Sequence, residues 1–319
     1  MTEKQINRFK IAAYLTLGIV VFLIWVGGFV RSTGAGMGCP DWPKCFGMWV
    51  PPTCECQISP EYVTAHHLNG EKFNVYKTWT EYVNRLIGAL TGLFIIGMFI
   101  MSLPYRKTKS LITWLSGLGV LLVGFEGWLG KKVVDSNLHE GMITIHMVVA
   151  MILLMVLIAA YLAAFPPENQ VKTMPKSLFY IGIAVAFAVL CQIVLGTQVR
   201  ENVDVVAKSM GEAARGEWTK NLGAIYRYHT SFYWLIILLS GIWLYQLNPF
   251  LSQKNLAKWV YTFLFFIFAE VALGMSLDAF AMSKYLQPFH LVFATLIFAT
   301  AVVLTGKIYY LCGLADRRG

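Results

Sequence analysis

Eight stretches of this sequence, at about residues 11–31, 80–103, 110–130, 141–164, 178–199, 222–246, 257–278 and 286–310, are apolar and long enough to cross a bilayer. Inside hydrocarbon a backbone must satisfy its own polar groups, so such segments read as helices. The expected fold class is therefore an all-α polytopic membrane protein with eight transmembrane helices. Composition agrees: 57% of the residues are hydrophobic and 13% charged, and the longest polar stretch is the 33–79 loop, so no soluble domain is expected. No A-x-A-like cleavage site follows the first apolar run, which is expected to stay as a helix.

The loops set the orientation. Lys4, Arg8 and Lys10, "PYRKTKS", "PPENQVKTMPK", "LSQKNLAK" and "LADRRG" are short and basic with little acid. On the opposite side Lys and Arg are spread over longer loops and mixed with Asp and Glu. Basic density in short loops places both termini in the cytoplasm and the protein in the cytoplasmic (inner) membrane. The formal charge of +9 is then a topology signal. A nucleic-acid partner is not expected, because the chain has no basic soluble surface; the surroundings it needs are membrane lipid.

Internal repetition divides the chain. "GGFVRST" resembles "GTQVREN", pairing Arg31 with Arg200. "EGWLG" from Glu126 resembles "EVALG" from Glu270, and His146 pairs with His290, both at a separation of 144 residues. At about the same offset His229 in the sixth helix pairs with Asn84 in the second. Four matches in chain order predict two pseudo-symmetric four-helix bundles in parallel topology. Their bounds are 1–165, with the long outer loop 33–79, and 178–319, joined by a cytoplasmic linker at 166–177.

His146 ("ITIHMVVAMILL"), His229 and His290 ("QPFHLVFATLIF") each lie a few residues into an apolar run. An imidazole in hydrocarbon is costly and marks a candidate functional site. At about 1.5 Å per residue, Asn84 and the three histidines fall roughly one or two turns below the outer surface. Glu126 and Glu270 end the odd-numbered helices at that level, with Arg31 and Arg200 just above. Histidines at one depth in a bundle point to a metal cofactor, and heme is the natural candidate. Its iron would lie between helices and its propionates toward arginine, in sites opening to the outside. Two plainer roles stand beside this one: the arginines as interfacial anchors, and the glutamates as their ion-pair partners.

With these residues in view the chain resembles the heme A synthases of aerobic bacteria and mitochondria over essentially its whole length. The resemblance is carried by "GGFVRSTGAGMGCPDWPKC", "EYVNRLIGALTG", the histidines of the fourth and eighth helices and the duplicated plan. It implies oxidation of the C8 methyl of heme O to a formyl group, by two successive hydroxylations and loss of water from a geminal diol. It also implies a heme b cofactor between His229 and His290, with Arg200 at its rim, and a substrate heme in the N-terminal half on His146, with Arg31, Asn84 and Arg85 about it. The membrane enzyme that attaches the farnesyl group, heme O synthase, is the implied donor. A homo-oligomer is a further possibility. The family's second-helix pattern is Glu-x-x-His-Arg, whereas this chain has Glu81-Tyr82-Val83-Asn84-Arg85. Either His146 alone holds the substrate iron, with Asn84 bonding a water or the porphyrin edge, or a loop histidine (His66, His67 or His139) serves. The first is favoured because a transient substrate must leave.

Glu81 is the candidate catalytic residue. Three residues before Asn84, it shares that helix face and is suited to accept protons released as the methyl carbon is oxidised. A helix-entry carboxylate favoured by the dipole is the alternative. Cys39 and Cys45 match the family's loop pair and are expected to bond. Cys54 and Cys56 are additional, and their pairing is open, with a zinc site of Cys54, Cys56, His66 and His67 as a rival. Cys191 and Cys312, in helices, are expected to be packing residues. The competing functions are a quinol-linked b-type electron carrier and a heme-binding assembly or transport protein.

Overall fold

The computed structural model describes residues 2–65, 73–167, 174–252 and 254–315. Among these, eight helices are long and apolar enough to cross a membrane: α1 Glu3–Ser32, α2 Val75–Ser102, α3 Ser110–Asp135, α4 Glu140–Ala164, α5 Lys176–Met210, α6 Gly223–Leu247, α7 Lys254–Ala279 and α8 Gln287–Leu311. The chain is a multi-pass membrane protein. Large apolar side chains cover its outside, including Leu93, Leu121, Phe187 and Phe268, each at least 65% exposed. Such a surface is stable only against lipid.

Each helix starts or stops where its end groups find partners. Thr2 and Gln5 form a reciprocal capping box at α1, and Asn74 caps α2 by accepting from the Lys77 N–H at 3.1 Å. Two turns share one construction. After α3, Asn137 and Leu138 take positive φ (53° and 61°) and the Leu138 N–H donates to the Val133 carbonyl. After α7, Ala281 and Met282 do the same (49° and 54°), and the Met282 N–H donates to the Leu277 carbonyl. These are Schellman closures made without glycine. Each ends eight residues before a histidine of the next helix, His146 or His290, and so sets that histidine's depth.

The helices pack as α1 on α2, α3 on α4, α5 on α6 and α7 on α8, with α1, α4, α5 and α8 meeting in the middle. Phe9, Ile95, Leu157, Val185, Trp243 and Leu304 are fully buried in the common core.

One expectation fails at α5. The fifth apolar run was expected to end at residue 199, giving 200–221 to an outer loop, but the helix continues to Met210 and stops at Gly211, whose φ is +74°. Val199, Val203 and Val206 recur at helical spacing and are buried against Trp218, Leu222, Leu277 and Met282, which holds the added turns in place.

Candidate functional site

Two histidines are braced from the helix before them. His146 Nδ1 on α4 lies 2.7 Å from Glu126 Oε2 on α3, and His290 Nδ1 on α8 lies 3.1 Å from Glu270 Oε1 on α7. A carboxylate at Nδ1 fixes the ring and leaves Nε2 for a metal, the usual support behind a histidine ligand. The glutamates thus pair with the histidines, not with Arg31 and Arg200.

Glycine makes room for the rings. A Cβ built on Gly130 would lie 3.9 Å from His146 Cε1, and one on Gly274 would lie 3.4 Å from His290 Cε1. Each glycine follows its glutamate by four residues, so one helix face supplies both the brace and the space. His229 on α6 rests in the same way on α5, its Cε1 3.4 Å from where a Gly196 Cβ would be, and its carbonyl accepts from Gln192 Nε2 at 3.0 Å.

His229 and His290 face each other with ring centroids 6.3 Å apart and planes at 76°. Metal–imidazole bonds of about 2 Å, plus roughly 1 Å from each nitrogen to its ring centre, call for about 6 Å between centroids. The pair therefore fits bis-histidine ligation of one iron. In the N-terminal half no histidine among the described residues faces His146 in this way. Asn84 stands on α2 with its Oδ1 buried and without a hydrogen bond, and the space beside Gly27 on α1 is open.

Glu81 and Arg85 build a clamp on the outer loop. Glu81 is 3% exposed; its Oε2 accepts from the Cys39 N–H at 2.7 Å, and its Oε1 accepts from Arg85. Arg85 also donates to the carbonyls of Asp41 (2.6 Å), Lys44 (3.0 Å) and Cys39 (2.9 Å). All five of its N–H groups are used, and none is left for a propionate. Arg85, expected beside the substrate heme, is in this structure committed to the outer loop and to Glu81. In the structure Cys39 and Cys45 are bonded, S–S 2.00 Å, so the clamp grips a closed ring of loop. Thr78 Oγ1 donates to the Gly38 carbonyl at 2.8 Å, and the Tyr82 hydroxyl to the Trp49 carbonyl at 2.6 Å.

The two arginines, expected one to a half, meet. Arg31 Nη2 lies 2.5 Å from Asp204 Oδ2 and Arg200 Nη1 lies 2.6 Å from Asp204 Oδ1, while Arg200 Nη2 donates to the Arg31 carbonyl at 3.2 Å. Asp204 was missed because it lies in the stretch read as loop; the Val199, Val203, Val206 spacing was the signal. Nearby, Arg215 donates to the Met282 carbonyl at 3.0 Å and pairs with Glu212, holding that carboxyl below its usual range.

Other candidates fall away from the center. His139 caps α4, its Nδ1 accepting from the Gly141 N–H at 3.2 Å. His66 and His67 lie outside the described residues. Cys54 and Cys56 are bonded in the structure, S–S 2.01 Å, which takes both thiolates from the proposed zinc site. Among the described residues no group of three or more His, Cys, Asp and Glu side chains is arranged for a metal ion.

The chain is an eight-helix membrane protein in which two histidines face each other and a third is braced by a glutamate. Over residues 10–303 the chain matches the COX15-CtaA family of cytochrome oxidase assembly proteins, and it belongs to that family. It is 28% identical over 211 residues to a heme A synthase of Shewanella oneidensis and 26% identical over 214 residues to one of a Wolbachia of Brugia malayi. Those matches cover 65% and 61% of this chain, and they span 62% and 63% of those relatives, under two thirds of their length. A heme A synthase of Shouchella clausii is 22% identical over 277 residues, covering 84% of this chain and 85% of the relative.

Proposed function

We propose that the protein is a heme A synthase of the cytoplasmic membrane that oxidises the C8 methyl of heme O to a formyl group. The observation that carries the reading is the unequal pair of sites: two facing histidines 6.3 Å apart in one half, and one braced histidine in the other, where Asn84 takes the place that repeats as His229. The helix contacts support two pseudo-symmetric halves: α1 on α2 repeats as α5 on α6, α3 on α4 as α7 on α8, and α1 on α8 as α5 on α4. The short basic loops support a cytoplasmic position for both termini.

His229 and His290 would hold a heme b, which supplies a one-electron carrier when bound. Glu270 fixes the His290 ring, and Gly196 and Gly274 admit the rings to their helices. Heme O enters the N-terminal half as substrate on His146, whose ring Glu126 fixes. Two hydroxylations of the methyl carbon, each using one dioxygen, two electrons from an external reductant and two protons, and each releasing the second oxygen atom as water, would give a geminal diol that loses water to the aldehyde. Glu81, expected to take protons, has a hydrogen bond to each oxygen, and we assign it first a positioning role: it holds α2 against the disulfide loop above the substrate. The Arg31–Asp204–Arg200 group joins the halves at the polar rim. Heme O synthase is the expected donor.

The test is heme extraction and chromatography from cells co-expressing this chain with a heme O synthase. Wild type is expected to accumulate heme A. Glu81→Ala should lose it by about 10-fold or more, whereas Glu81→Gln, which keeps the acceptor toward the Cys39 N–H, should retain part of it. Heme O left unconverted beside a protein containing only heme B would replace this reading with a b-type electron carrier.

A further inference from the structure

The two halves part company at one pair of positions. In the C-terminal half, the ring of His229 covers Gly196, four residues before Arg200. The repeat-equivalent glycine in the N-terminal half is Gly27, four residues before Arg31, and nothing lies within 4 Å of where its Cβ would be. The helices are not splayed there, since Ile87 of α2 packs against a cluster containing Val26 and Val30 of α1. The residue on α2 that repeats as His229 is Asn84, whose side chain is shorter than an imidazole.

We propose that the N-terminal half gives its guest iron one protein ligand, His146, and reserves the opposite axial position for an exchangeable water held by Asn84 beside Gly27. The inference rests on the reading of this half as the substrate site. Asn84 Oδ1 is a buried acceptor that lacks a donor, and a ligated water is a donor that fits it. A carboxamide is itself a poor ligand for heme iron, so Asn84 acts on the water and not on the metal. No described histidine substitutes, because the His139 side chain is exposed at the start of α4. A guest held by one strong bond and one labile ligand leaves readily, whereas a resident held by His229 and His290 stays.

The test uses the full-length protein, purified with its heme b and given one equivalent of heme O. In wild type the added ferric heme is expected to be high-spin by electron paramagnetic resonance, to become low-spin when free imidazole fills the space beside Gly27, and to bind carbon monoxide when reduced. In Asn84→His it should be low-spin without imidazole, with carbon monoxide binding weakened and heme O release slowed by about 10-fold or more. The low-spin heme of the C-terminal half serves as the internal reference in every sample. A wild-type guest heme that is low-spin and inert to carbon monoxide overturns the proposal, and the imidazole response makes this decision without any variant. Conversion of heme O by such a closed site would overturn this inference and leave the synthase reading intact. An open site that converts nothing would uphold this inference and overturn the synthase reading.

Discussion

Purified His290→Ala is expected to lack the low-spin heme b proposed for wild type altogether, because in that assignment the residue is one of the two ligands. Among the described residues no carboxylate pairs with His229, whereas His290 is braced by Glu270 at 3.1 Å. Losing His290 therefore removes the better-positioned ligand. Glu270→Gln should give a graded result, with heme affinity down by roughly 10- to 100-fold, as for other partners that support a metal-bound histidine. Heme content per polypeptide and the reduced-minus-oxidised spectrum report both. A full complement of low-spin heme in His290→Ala would mean that the histidine pair is not the ligand set.

Gly38→Ala should detach the disulfide loop from α2. A Cβ at Gly38 would stand 2.3 Å from the Lys77 carbonyl oxygen and 2.7 Å from the Thr78 nitrogen, both backbone atoms that cannot swing away. Overpacking of this kind costs about 1–3 kcal/mol, and the rigidity of both partners places this site at the upper end. The Cys39 N–H bond to Glu81 and the Gly38 carbonyl bond from Thr78 would be lost with it. Limited proteolysis from the outer side should cut the 33–74 segment several-fold faster in the variant than in wild type. An unchanged cleavage rate would show that the clamp does not hold the loop.

Much of this architecture is legible in the residues. Apolar runs mark the spans because the bilayer punishes polar side chains and rewards length, and the same penalty makes His146, His229 and His290 conspicuous. Glu126 and Glu270 declare themselves through their common distance to those histidines. Their partnership with the imidazoles is less visible, since a glutamate near an arginine is an equally good electrostatic pair until helix positions are known. The hold of Arg85 on the loop is hidden for a related reason. Besides Glu81, its partners are carbonyls of Cys39, Asp41 and Lys44, and backbone acceptors leave no trace in residue identity. Asp204 hides because alternating charges look solvated, although Val199, Val203 and Val206 trace a buried helical stripe beside them. The open space at Gly27 can be seen only when both halves are compared atom by atom.

The division of labour between the halves is tested most directly by following heme O after it is added, with oxygen and a reductant, to purified wild type and His146→Ala, and separating the hemes by chromatography. The account predicts oxidised heme O derivatives ending in heme A from wild type. It predicts none from His146→Ala, even though that variant keeps the full low-spin heme b signal of the His229–His290 site. Conversion by His146→Ala at the wild-type rate would contradict it and move the chemistry out of the N-terminal half.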